Sequence, residues 1–248
     1  MPKILVSPVV FNEHIKVKNV IERFLQYRDK VSFVSAKLDY LVIDDGSTDP
    51  TTQIIEGYGD REVKTLRHPR RKGVGAAIRT AIDYALEHHY DILVIMAGND
   101  KDNPEEIPIV VDPIIREGCD VVQGSRYLGQ VGHGGDMPLY RKFATRLHPF
   151  FFSLITGRKL TDTTNGFRAI RLSFFKDARI NLNQEWLNAY ELEPYILYKA
   201  ITLGYKYREA FVTKIYPPKQ LGYTKMKPIV GWWSILRPLV FLRLGIKK

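Results

Sequence analysis

The stretch Tyr40-Leu41-Val42-Ile43-Asp44-Asp45-Gly46-Ser47-Thr48-Asp49 joins an apolar run to acidic and small polar residues. The apolar run has the length and character of a buried parallel strand. Gly46 permits a tight turn, and Ser47, Thr48 or Asp49 can cap a following helix. Open α/β sheets bind ligands in the crevice beyond the carboxyl ends of their strands. The stretch therefore predicts a binding site, with an ordinary strand-to-helix turn bearing exposed acids as the alternative.

A second apolar run, residues 91–96, leads in the same way into polar and acidic residues at 97–106. Pro104 suits the first position of a helix, Asn103 can cap that helix, and two glutamates follow in its first turn. Both strands would bring carboxylate and amide groups to one edge of the sheet. Such groups can bind ribose hydroxyls and a divalent cation.

Apolar runs of strand length alternate with helical periodicity through the first half of the chain. This order predicts an α/β fold with a mostly parallel, doubly wound sheet, helices on both faces and right-handed crossovers. The predicted strands cover residues 4–10, 39–43, 63–66, 92–96 and 120–123, and the predicted helices cover residues 15–25, 51–57, 75–88 and 104–117.

The second half of the chain has a different character. Residues 128–136 contain four glycines and indicate a mobile loop, either a lid or a flexible surface excursion. Residues 139–155 have the pattern of an amphipathic helix, for which packing on the core is the alternative. Residues 229–246 mix tryptophans with arginines, which favours a helix in the membrane interface over a buried helix. We therefore predict a domain over residues 1–215 and a basic, aromatic membrane-interface segment over residues 216–248.

The chain has 248 residues, a formal net charge of +10 and a single cysteine, Cys119. The charge favours anionic partners: nucleotide diphosphates, lipid phosphates or an anionic membrane surface. No acidic residue follows Lys214, but no nucleic-acid-binding motif accompanies the basic residues, so nucleic acid is not expected as a partner. One cysteine excludes an internal disulfide and fits a reducing compartment. Neither a signal peptide nor an uncharged apolar stretch of about 18 residues is evident, so no transmembrane helix is predicted.

Five sequence blocks carry a resemblance to a known enzyme family. Residues 44–49, Asp-Asp-Gly-Ser-Thr-Asp, are similar to the nucleotide-sugar signature of glycosyltransferase family 2. Residues 7–13 resemble the Pro-x-Tyr/Phe-Asn-Glu start of that family, and residues 71–77 resemble its glycine loop. Residues 124–127 and 162–168 are similar to two further blocks. Within the family, the chain resembles the polyprenyl-phosphate glycosyltransferases related to dolichol-phosphate mannose synthase.

The resemblance implies a GT-A-like fold and an inverting glycosyltransferase. Such an enzyme would move a sugar from a UDP- or GDP-sugar to a polyprenyl phosphate, dolichyl or undecaprenyl, as a peripheral protein at the cytoplasmic face of the membrane. From their chemistry alone, Asp44 and Asp45 can accept hydrogen bonds from a base N–H and from ribose hydroxyls. The other candidate donor-binding residues are Pro8, Phe11, Asn12, Glu13, Gly46, Lys72, Gly73, Gly98, Asn99 and Ser125.

The clearest departure from the family follows the fourth predicted strand. The family carries a metal-binding Asp-x-Asp there, whereas this chain has Ala97, Gly98 and Asn99. Asn99 retains a carbonyl oxygen, and Asp100 and Asp102 are near enough to replace the missing carboxylates as ligands of Mg²⁺ or Mn²⁺. Three outcomes stay open: a shifted metal site, metal-independent transfer assisted by basic side chains, or an inactive relative.

The acceptor decides which catalytic groups are needed. A hydroxyl acceptor requires a general base, whereas a lipid phosphate is already anionic and requires cationic positioning. The family blocks imply Arg126 and Arg168, with Lys219 as a further candidate, as phosphate-binding groups. A structural ion pair is the alternative for each of these basic residues. Asp162, the third candidate catalytic residue, would orient Arg168 or contact the sugar. The rival hypotheses are transfer to a sugar hydroxyl in polysaccharide synthesis, with Asp162 or Glu191 as base, and a non-catalytic nucleotide-sugar or membrane-binding module.

Overall fold

A mixed β-sheet lies at the centre of the protein. The computed structural model describes residues 1–30, 37–129, 137, 139–216 and 230–247. Its strands are β1 (Lys3–Val10), β2 (Lys37–Asp44), β3 (Val63–Arg67), β4 (Ile92–Ala97), β5 (Val121–Ser125), β6 (Arg168–Arg171) and β7 (Tyr207–Phe211). They form one seven-stranded sheet in the order β3-β2-β1-β4-β6-β5-β7.

The sheet is parallel except at β6, which pairs antiparallel with both β4 and β5. The other described pairs, β1 with β2 and β4, β2 with β3, and β5 with β7, are parallel. The predicted α/β fold with a mostly parallel sheet is confirmed, and each predicted strand is present. Strands β6 and β7 were not predicted, because Arg-Ala-Ile-Arg and Tyr-Arg-Glu-Ala-Phe are short and strongly polar.

Helices cover both faces of the sheet. The helix predicted over 104–117 begins with a 3₁₀ turn, Pro104–Glu106, and continues as an α-helix that contains Pro113. The Asn103 side chain caps the turn by accepting from the Glu105 N–H at 3.2 Å, as predicted. The α-helices are α1 (Val17–Lys30), α2 (Thr51–Glu56), α3 (Val74–Glu87), α4 (Ile107–Glu117), α5 (Leu139–Thr156), α6 (Leu192–Thr202) and α7 (Val230–Arg243).

Two hydrophobic cores lie on the two faces of the sheet. Along β1, Ile4 and Val6 pack in the core that contains Phe24 of α1. The intervening Leu5 packs in the core that contains Ile78 of α3. Because alternate side chains of one strand are buried on opposite faces, the strand reads as a continuous apolar run. This arrangement fixes the carboxyl ends of β1, β2 and β4 at one edge, where the candidate site lies.

The described part of the C-terminal segment packs against the domain. His148 of α5 bridges to α7, since its Nε2 lies 3.2 Å from the Ile235 carbonyl oxygen and its Nδ1 lies 2.6 Å from the Thr163 hydroxyl. Burial lowers the pKa of His148 to about 4, so this bridge is neutral at pH 7. Among the residues described, the helices lack the length and apolar character that a membrane crossing requires.

Three sequence predictions fall partly or wholly outside the described residues. These are the glycine-rich loop after Gly129, the phosphate-binding candidate Lys219, and the start of the segment predicted over 216–248. The domain boundary at residue 216 therefore stays a prediction.

Candidate active site

The turn after β2 holds Asp44 inside the protein. Its Oδ1 accepts from the Ser47 backbone N–H at 2.9 Å, and its Oδ2 accepts from the Thr52 hydroxyl at 2.6 Å. Gly46 has a φ of +74°, and a Cβ there would lie 2.5 Å from the carbonyl carbon of Arg70, so the turn requires glycine. Asp44 and Gly46 therefore shape the turn, and the described walls of the cavity reported below include neither residue.

Asp45 fixes the neighbouring loop. Its Oδ1 accepts from the Lys72 backbone N–H and its Oδ2 accepts from the Gly73 backbone N–H, both at 2.8 Å. His68 Nδ1 lies 2.8 Å from the same Oδ1. Asp45 and Gly73 line the cavity, whereas the Lys72 side chain is exposed outside it. Lys72 thus contributes its backbone to the site.

A cavity of about 250 Å³ opens at the carboxyl ends of β1 and β4. At one end, the Arg71 guanidinium lies 4.3 Å from the centroid of the Phe11 ring, and both residues line the cavity. Glu13 also lines this end, with its Oε2 3.1 Å from Lys16 Nζ. A flat aromatic and guanidinium surface beside the acceptor oxygens of Asp45 suits a nucleoside, which presents a ring face and hydroxyl donors.

Three other residues that were predicted to bind the donor contribute to the fold instead of lining the described cavity. Asn12 pins the turn after β2, because its N–H donates to the Ser47 hydroxyl at 2.9 Å and its Oδ1 accepts from the Thr48 N–H at 2.8 Å. Pro8 lies within β1, and the Ser125 hydroxyl is buried against another hydroxyl. The described cavity walls include none of Pro8, Asn12 and Ser125.

The end of β4 forms the floor of the cavity. Ala97, Gly98 and Asn99 all line it. Gly98 passes so close to β1 that a Cβ would lie 2.2 Å from Val10 Cγ1, so this position has no room for a side chain. The Asn99 side-chain oxygen is buried and has no hydrogen-bond partner among the described residues. Asn99 is therefore the one predicted metal ligand that presents an available oxygen here.

Asp100 faces helix α1 instead of the cavity. Its Oδ1 accepts from Arg23 at 2.8 Å, and its Oδ2 accepts from the Asn19 amide. The backbone reaches this orientation through a φ of +58° at Asp100, in the left-handed region. This placement differs from the predicted one, because Asp100 could join Asn99 only by leaving its ion pair with Arg23.

Asp102 is buried and paired with a lysine. Its Oδ2 accepts from the Ala97 N–H at 2.7 Å, and its Oδ1 lies 2.5 Å from Lys214 Nζ. Lys214 Nζ also donates to Asn165 Oδ1 at 2.9 Å. In the part of the chain that the structure describes, no three or more His, Cys, Asp or Glu side chains are grouped to hold a metal ion. Mg²⁺ and Mn²⁺ prefer several oxygen ligands, so the donor set with Asn99 does not fit such an ion.

Two of the three candidate catalytic residues form a buried ion pair. Arg126 Nε lies 2.6 Å from Asp162 Oδ2, and its Nη2 lies 2.8 Å from Oδ1. Burial raises the pKa of Asp162, but the charge and hydrogen bonds of Arg126 outweigh it and lower that pKa. Arg126 also donates to the Thr164 hydroxyl at 2.6 Å. The pair therefore stabilises the loop whose Thr163 and Thr164 line the cavity, while Arg126 and Asp162 themselves are not part of the described lining.

Arg168, the third candidate, lines the cavity itself. Its Nη2 donates to the Asn165 carbonyl oxygen at 2.8 Å and to Glu193 Oε1 at 2.9 Å. Its Nε is buried and has no partner among the described residues. A buried N–H at a cavity wall is a donor to which an anionic ligand can bind.

Glu191, a candidate base under the hydroxyl-acceptor hypothesis, is also ion-paired. Its Oε1 lies 2.5 Å from Arg237 of α7, and the Glu191 side chain is 1% exposed. Burial raises the pKa of Glu191, and Arg237 opposes part of that rise. Both carboxylates considered as bases, Asp162 and Glu191, thus lie in internal ion pairs outside the described cavity lining.

Sequence reasoning missed two basic residues of the cavity wall. Lys101 and Lys214 both line the cavity and are almost fully buried. The Lys101 carbonyl oxygen accepts from the Ile215 N–H at 3.1 Å, which holds the two lysine-bearing segments together. Lys214 follows β7, a strand that the sequence did not reveal, so nothing in the local sequence indicated its neighbours.

Comparison with known proteins agrees with the sequence blocks. A profile described as "Glycosyl transferase family 2" matches residues 9–179. Undecaprenyl-phosphate mannosyltransferase of Micrococcus luteus is 29% identical over 199 residues, which cover 78% of this chain and 78% of that protein. Polyprenol monophosphomannose synthase of Mycolicibacterium smegmatis is 27% identical over 201 residues, which cover 79% of this chain and 73% of that protein.

Solved structures show the same fold. Glucosyl-3-phosphoglycerate synthase from Mycobacterium tuberculosis in complex with UDP superimposes with a TM-score of 0.68 and 18% identity, over 100% of this chain and 82% of that one. Its complex with Mn²⁺ and UDP-glucose gives a TM-score of 0.67 and 17% identity, over 100% of this chain and 80% of that one. The predicted GT-A-like fold is confirmed by this likeness.

The matched profile spans well over half of the sequence and includes four of the five blocks in full. The predicted resemblance to family 2, and within it to the polyprenyl-phosphate group, is confirmed by these matches. The chain belongs to glycosyltransferase family 2 and is a glycosyltransferase.

Proposed function

We propose that the enzyme transfers a sugar from a UDP- or GDP-sugar to a polyprenyl phosphate, dolichyl or undecaprenyl phosphate, at a membrane surface. The observation that carries this proposal is the charge of the cavity wall, to which Lys101, Arg168 and Lys214 contribute. The three carboxylates of the described wall are engaged. Asp45 binds backbone amides, Glu13 lies 3.1 Å from Lys16 Nζ, and Glu193 accepts from Arg168 at 2.9 Å. An acceptor phosphate brings its own anionic oxygen, so cationic groups serve it better than a general base.

The donor occupies the cavity from its nucleoside end. In this arrangement the base stacks on Phe11 and Arg71, which lie 4.3 Å apart, and the ribose hydroxyls donate to Asp45. The diphosphate then extends along the floor formed by residues 97–99 towards the basic wall. The solved relative with UDP bound supports a nucleoside diphosphate as ligand of this fold.

The reaction is a single displacement at the anomeric carbon. An oxygen of the acceptor phosphate forms a bond to that carbon while the bond from the carbon to the donor diphosphate breaks. The nucleoside diphosphate leaves with the bonding electron pair, and attack from the opposite face gives the inversion that the family resemblance implies. No proton is transferred, because both the attacking oxygen and the leaving group are anionic. Arg168, whose buried Nε–H has no partner among the described residues, is the group we assign to one of these phosphates.

The acceptor assignment draws support from the relatives. Two relatives are named undecaprenyl-phosphate mannosyltransferase and polyprenol monophosphomannose synthase. An enzyme of Methanococcus voltae named UDP-N-acetylglucosamine–dolichyl-phosphate N-acetylglucosaminyltransferase is 28% identical over 181 residues, 67% of this chain and 68% of that protein. The ion pairs of Asp162 and Glu191 speak against the alternative, a hydroxyl acceptor that needs a base.

The predicted Mg²⁺ or Mn²⁺ has no step in this proposal. Asn99 offers an available oxygen, but Asp100 and Asp102 are engaged by Arg23 and Lys214. The solved relative was crystallised with Mn²⁺, so divalent metal use occurs among enzymes of this fold.

The membrane surface is assigned to one face of α5 and the neighbouring part of α7. Five apolar side chains at helical spacing are exposed along α5, with Phe143 70% exposed and Leu154 72% exposed; the others are Leu147, Phe150 and Phe151. Helix α7 exposes Trp233, and Leu244 is exposed directly after the end of that helix. No acidic residue occurs from 137 to 161, whereas five basic residues do. Apolar side chains rimmed by positive charge suit an anionic bilayer.

We assign the protein to the cytoplasmic face, where a chain with one buried cysteine is suited to reducing conditions.

The acceptor is tested by sugar transfer from labelled UDP- and GDP-sugars. Undecaprenyl phosphate is the acceptor, and undecaprenol is the matched control that lacks the phosphate. We expect labelled lipid with the phosphate and none with the alcohol. Transfer to the alcohol or to oligosaccharides alone would overturn the assignment and favour polysaccharide synthesis.

Membrane docking is tested by co-sedimentation with phosphatidylglycerol vesicles. The double variant Phe143→Ser with Leu154→Ser should reduce binding at least fivefold, because both exposed apolar side chains are lost. Ile109→Ser, which changes an exposed apolar residue of α4, is the matched control. Equal loss in the control and the double variant would contradict the assignment of this face.

A further inference from the structure

We propose that Lys214 and Lys101 neutralise the donor diphosphate in place of a divalent cation, so that donor binding and transfer are independent of metal. This inference rests on the proposed function, because it specifies how the same cavity binds the diphosphate. It follows from the residues that surround the altered end of β4.

Lys214 is held as a fixed cation at the cavity wall. It is 7% exposed, and its Nζ lies 2.5 Å from Asp102 Oδ1 and 2.9 Å from Asn165 Oδ1. Within the described part of the chain these two bonds use two of the three N–H groups of the ammonium, which leaves the third for a ligand in the cavity that Lys214 lines. Asp102 is itself oriented by the Ala97 N–H at 2.7 Å. The ammonium is therefore positioned before any ligand binds.

Lys101 places a second ammonium at the same wall. It follows Asn99 by two residues, is 4% exposed and lines the cavity. Its Nζ lies 5.2 Å from the centroid of the Tyr216 ring. The hydrogen bond from the Ile215 N–H to the Lys101 carbonyl oxygen, 3.1 Å long, ties its backbone to the segment that carries Lys214. Two lysines from distant parts of the sequence thus share one side of the cavity.

The same arrangement disfavours a divalent ion. The nearby carboxylate of Asp102 already has a cationic partner, and Asp100 is turned to Arg23. A cation bound through Asn99 would share the cavity with two ammonium groups, and like charges at short range repel strongly where water is partly excluded. Lysine is an established phosphate-binding group as a point charge. The available Asn99 oxygen is then an acceptor for a hydroxyl of the donor.

The proposal is tested by calorimetric titration of the full chain with UDP and with GDP, in EDTA and in Mn²⁺. For whichever nucleotide binds, we expect the two Kd values to agree within threefold. Lys214→Ala and Lys101→Met should each weaken diphosphate binding at least tenfold in EDTA while leaving binding of the corresponding nucleoside within threefold. Lys37→Met, which changes a lysine with a 76% exposed side chain, is the matched control and should bind like the wild type.

Because Lys214→Ala leaves Asp102 buried without its partner, the double variant Lys214→Ala with Asp102→Asn provides a neutral background. Thermal melting reports whether each variant is folded, and the double variant should show the same tenfold loss. In Lys214→Ala itself, Asp102 becomes available, and Mn²⁺ should recover part of the lost affinity.

Two results would overturn the inference. One is wild-type binding that EDTA abolishes and Mn²⁺ restores; the other is unchanged diphosphate affinity in the folded lysine variants. Both leave the proposed function standing. If neither UDP nor GDP binds the wild type in any condition, the proposed function itself fails, and this inference fails with it.

Discussion

The turns after β2 and β4 have similar acidic sequences, but their carboxylates have different partners in the structure. Each follows a buried strand with several acidic residues at the same edge of the sheet. After β2, Asp45 lines the cavity and is held there by two backbone N–H groups at 2.8 Å. After β4, Asp100 and Asp102 are turned to Arg23 and Lys214.

The difference shows that a carboxylate after a strand has no fixed role. Backbone amides of the adjacent loop hold Asp45 at the cavity, since no other described residue satisfies them. Cationic side chains from distant segments hold the later carboxylates elsewhere: Asp102 is buried and needs a partner, and the partly exposed Asp100 pairs with Arg23. Replacing one acidic residue at a time in the two turns tests whether its carboxylate is held by backbone amides or by a cationic side chain.

The largest effect is expected for Asp102→Ala, which leaves Lys214 as an uncompensated, nearly buried charge. Removing one partner of such a pair destabilises proteins by about 3–5 kcal/mol. Urea unfolding should show this loss in the free energy of unfolding. The double variant Asp102→Asn with Lys214→Met should lose less, since both charges are removed. A loss below about 1 kcal/mol in Asp102→Ala would mean that the pair does not form.

A smaller effect is expected for Asp45→Asn. One carboxylate oxygen becomes an NH₂ group, which cannot accept from the backbone N–H of Lys72 or Gly73. An unsatisfied buried donor costs about 1–3 kcal/mol, and nucleotide affinity should fall as the loop loosens. Asp44→Asn is the control, because its amide can donate to the Thr52 hydroxyl and still accept from the Ser47 N–H. Equal losses of nucleotide affinity in both variants would remove the distinction between the two aspartates.

Asp100→Asn should change little. Its ion pair with Arg23 joins side chains that are 24% and 30% exposed, and partly exposed pairs contribute below about 1 kcal/mol. Calorimetry should give the same nucleotide affinity as the wild type, with and without Mn²⁺. A change in the Mn²⁺ response of this variant would instead identify Asp100 as a metal ligand and weaken the contrast between the turns.

The smallest effect concerns Asp49, the last acid of the turn after β2. Burial raises the pKa of Asp49, but hydrogen bonds from Thr51 and His14 outweigh it and lower that pKa from 3.8 to about 2. A pKa that is lower in the folded state stabilises the fold above pH 4, and this stabilisation is lost as the pH falls from 4 to 2. The difference in Tm between wild type and Asp49→Asn should therefore shrink across that range. A difference that persists undiminished at pH 2 would contradict the assignment.

Much of the fold follows from local sequence. Buried runs such as residues 4–10 and 92–96 are apolar on both faces, so strand length and bounding polar residues reveal them. Strand β6 has two arginines in four residues, and its burial depends on partners far along the chain. Because those partners are not adjacent in sequence, neither its presence nor its antiparallel direction could be predicted.

The candidate site likewise has one part that follows from local sequence and another that depends on distant residues. Phe11, Asp45 and Asn99 line the cavity, and these positions follow from strand ends and sequence blocks. The pairing of Arg126 with Asp162 spans 36 residues, and that of Lys214 with Asp102 spans 112 residues. Orientation of a side chain depends on such distant partners, and one sequence does not specify them.

The close approach of Gly98 to β1 and the presence of Lys214 together limit which substitutions could create a metal site at this strand end. Position 98 admits no side chain, so new ligands can arise here only at its neighbours, Ala97 and Asn99. A carboxylate introduced at either neighbour would share the cavity with Lys101 and Lys214 and would gain an ion pair before it gained a metal. Building a metal site here therefore requires substitutions in segments more than one hundred residues apart, because Lys214 is paired with Asp102 across 112 residues of sequence. Gly98 and Lys214 therefore disfavour, in physical terms, the creation of a metal site at this strand end by a single substitution.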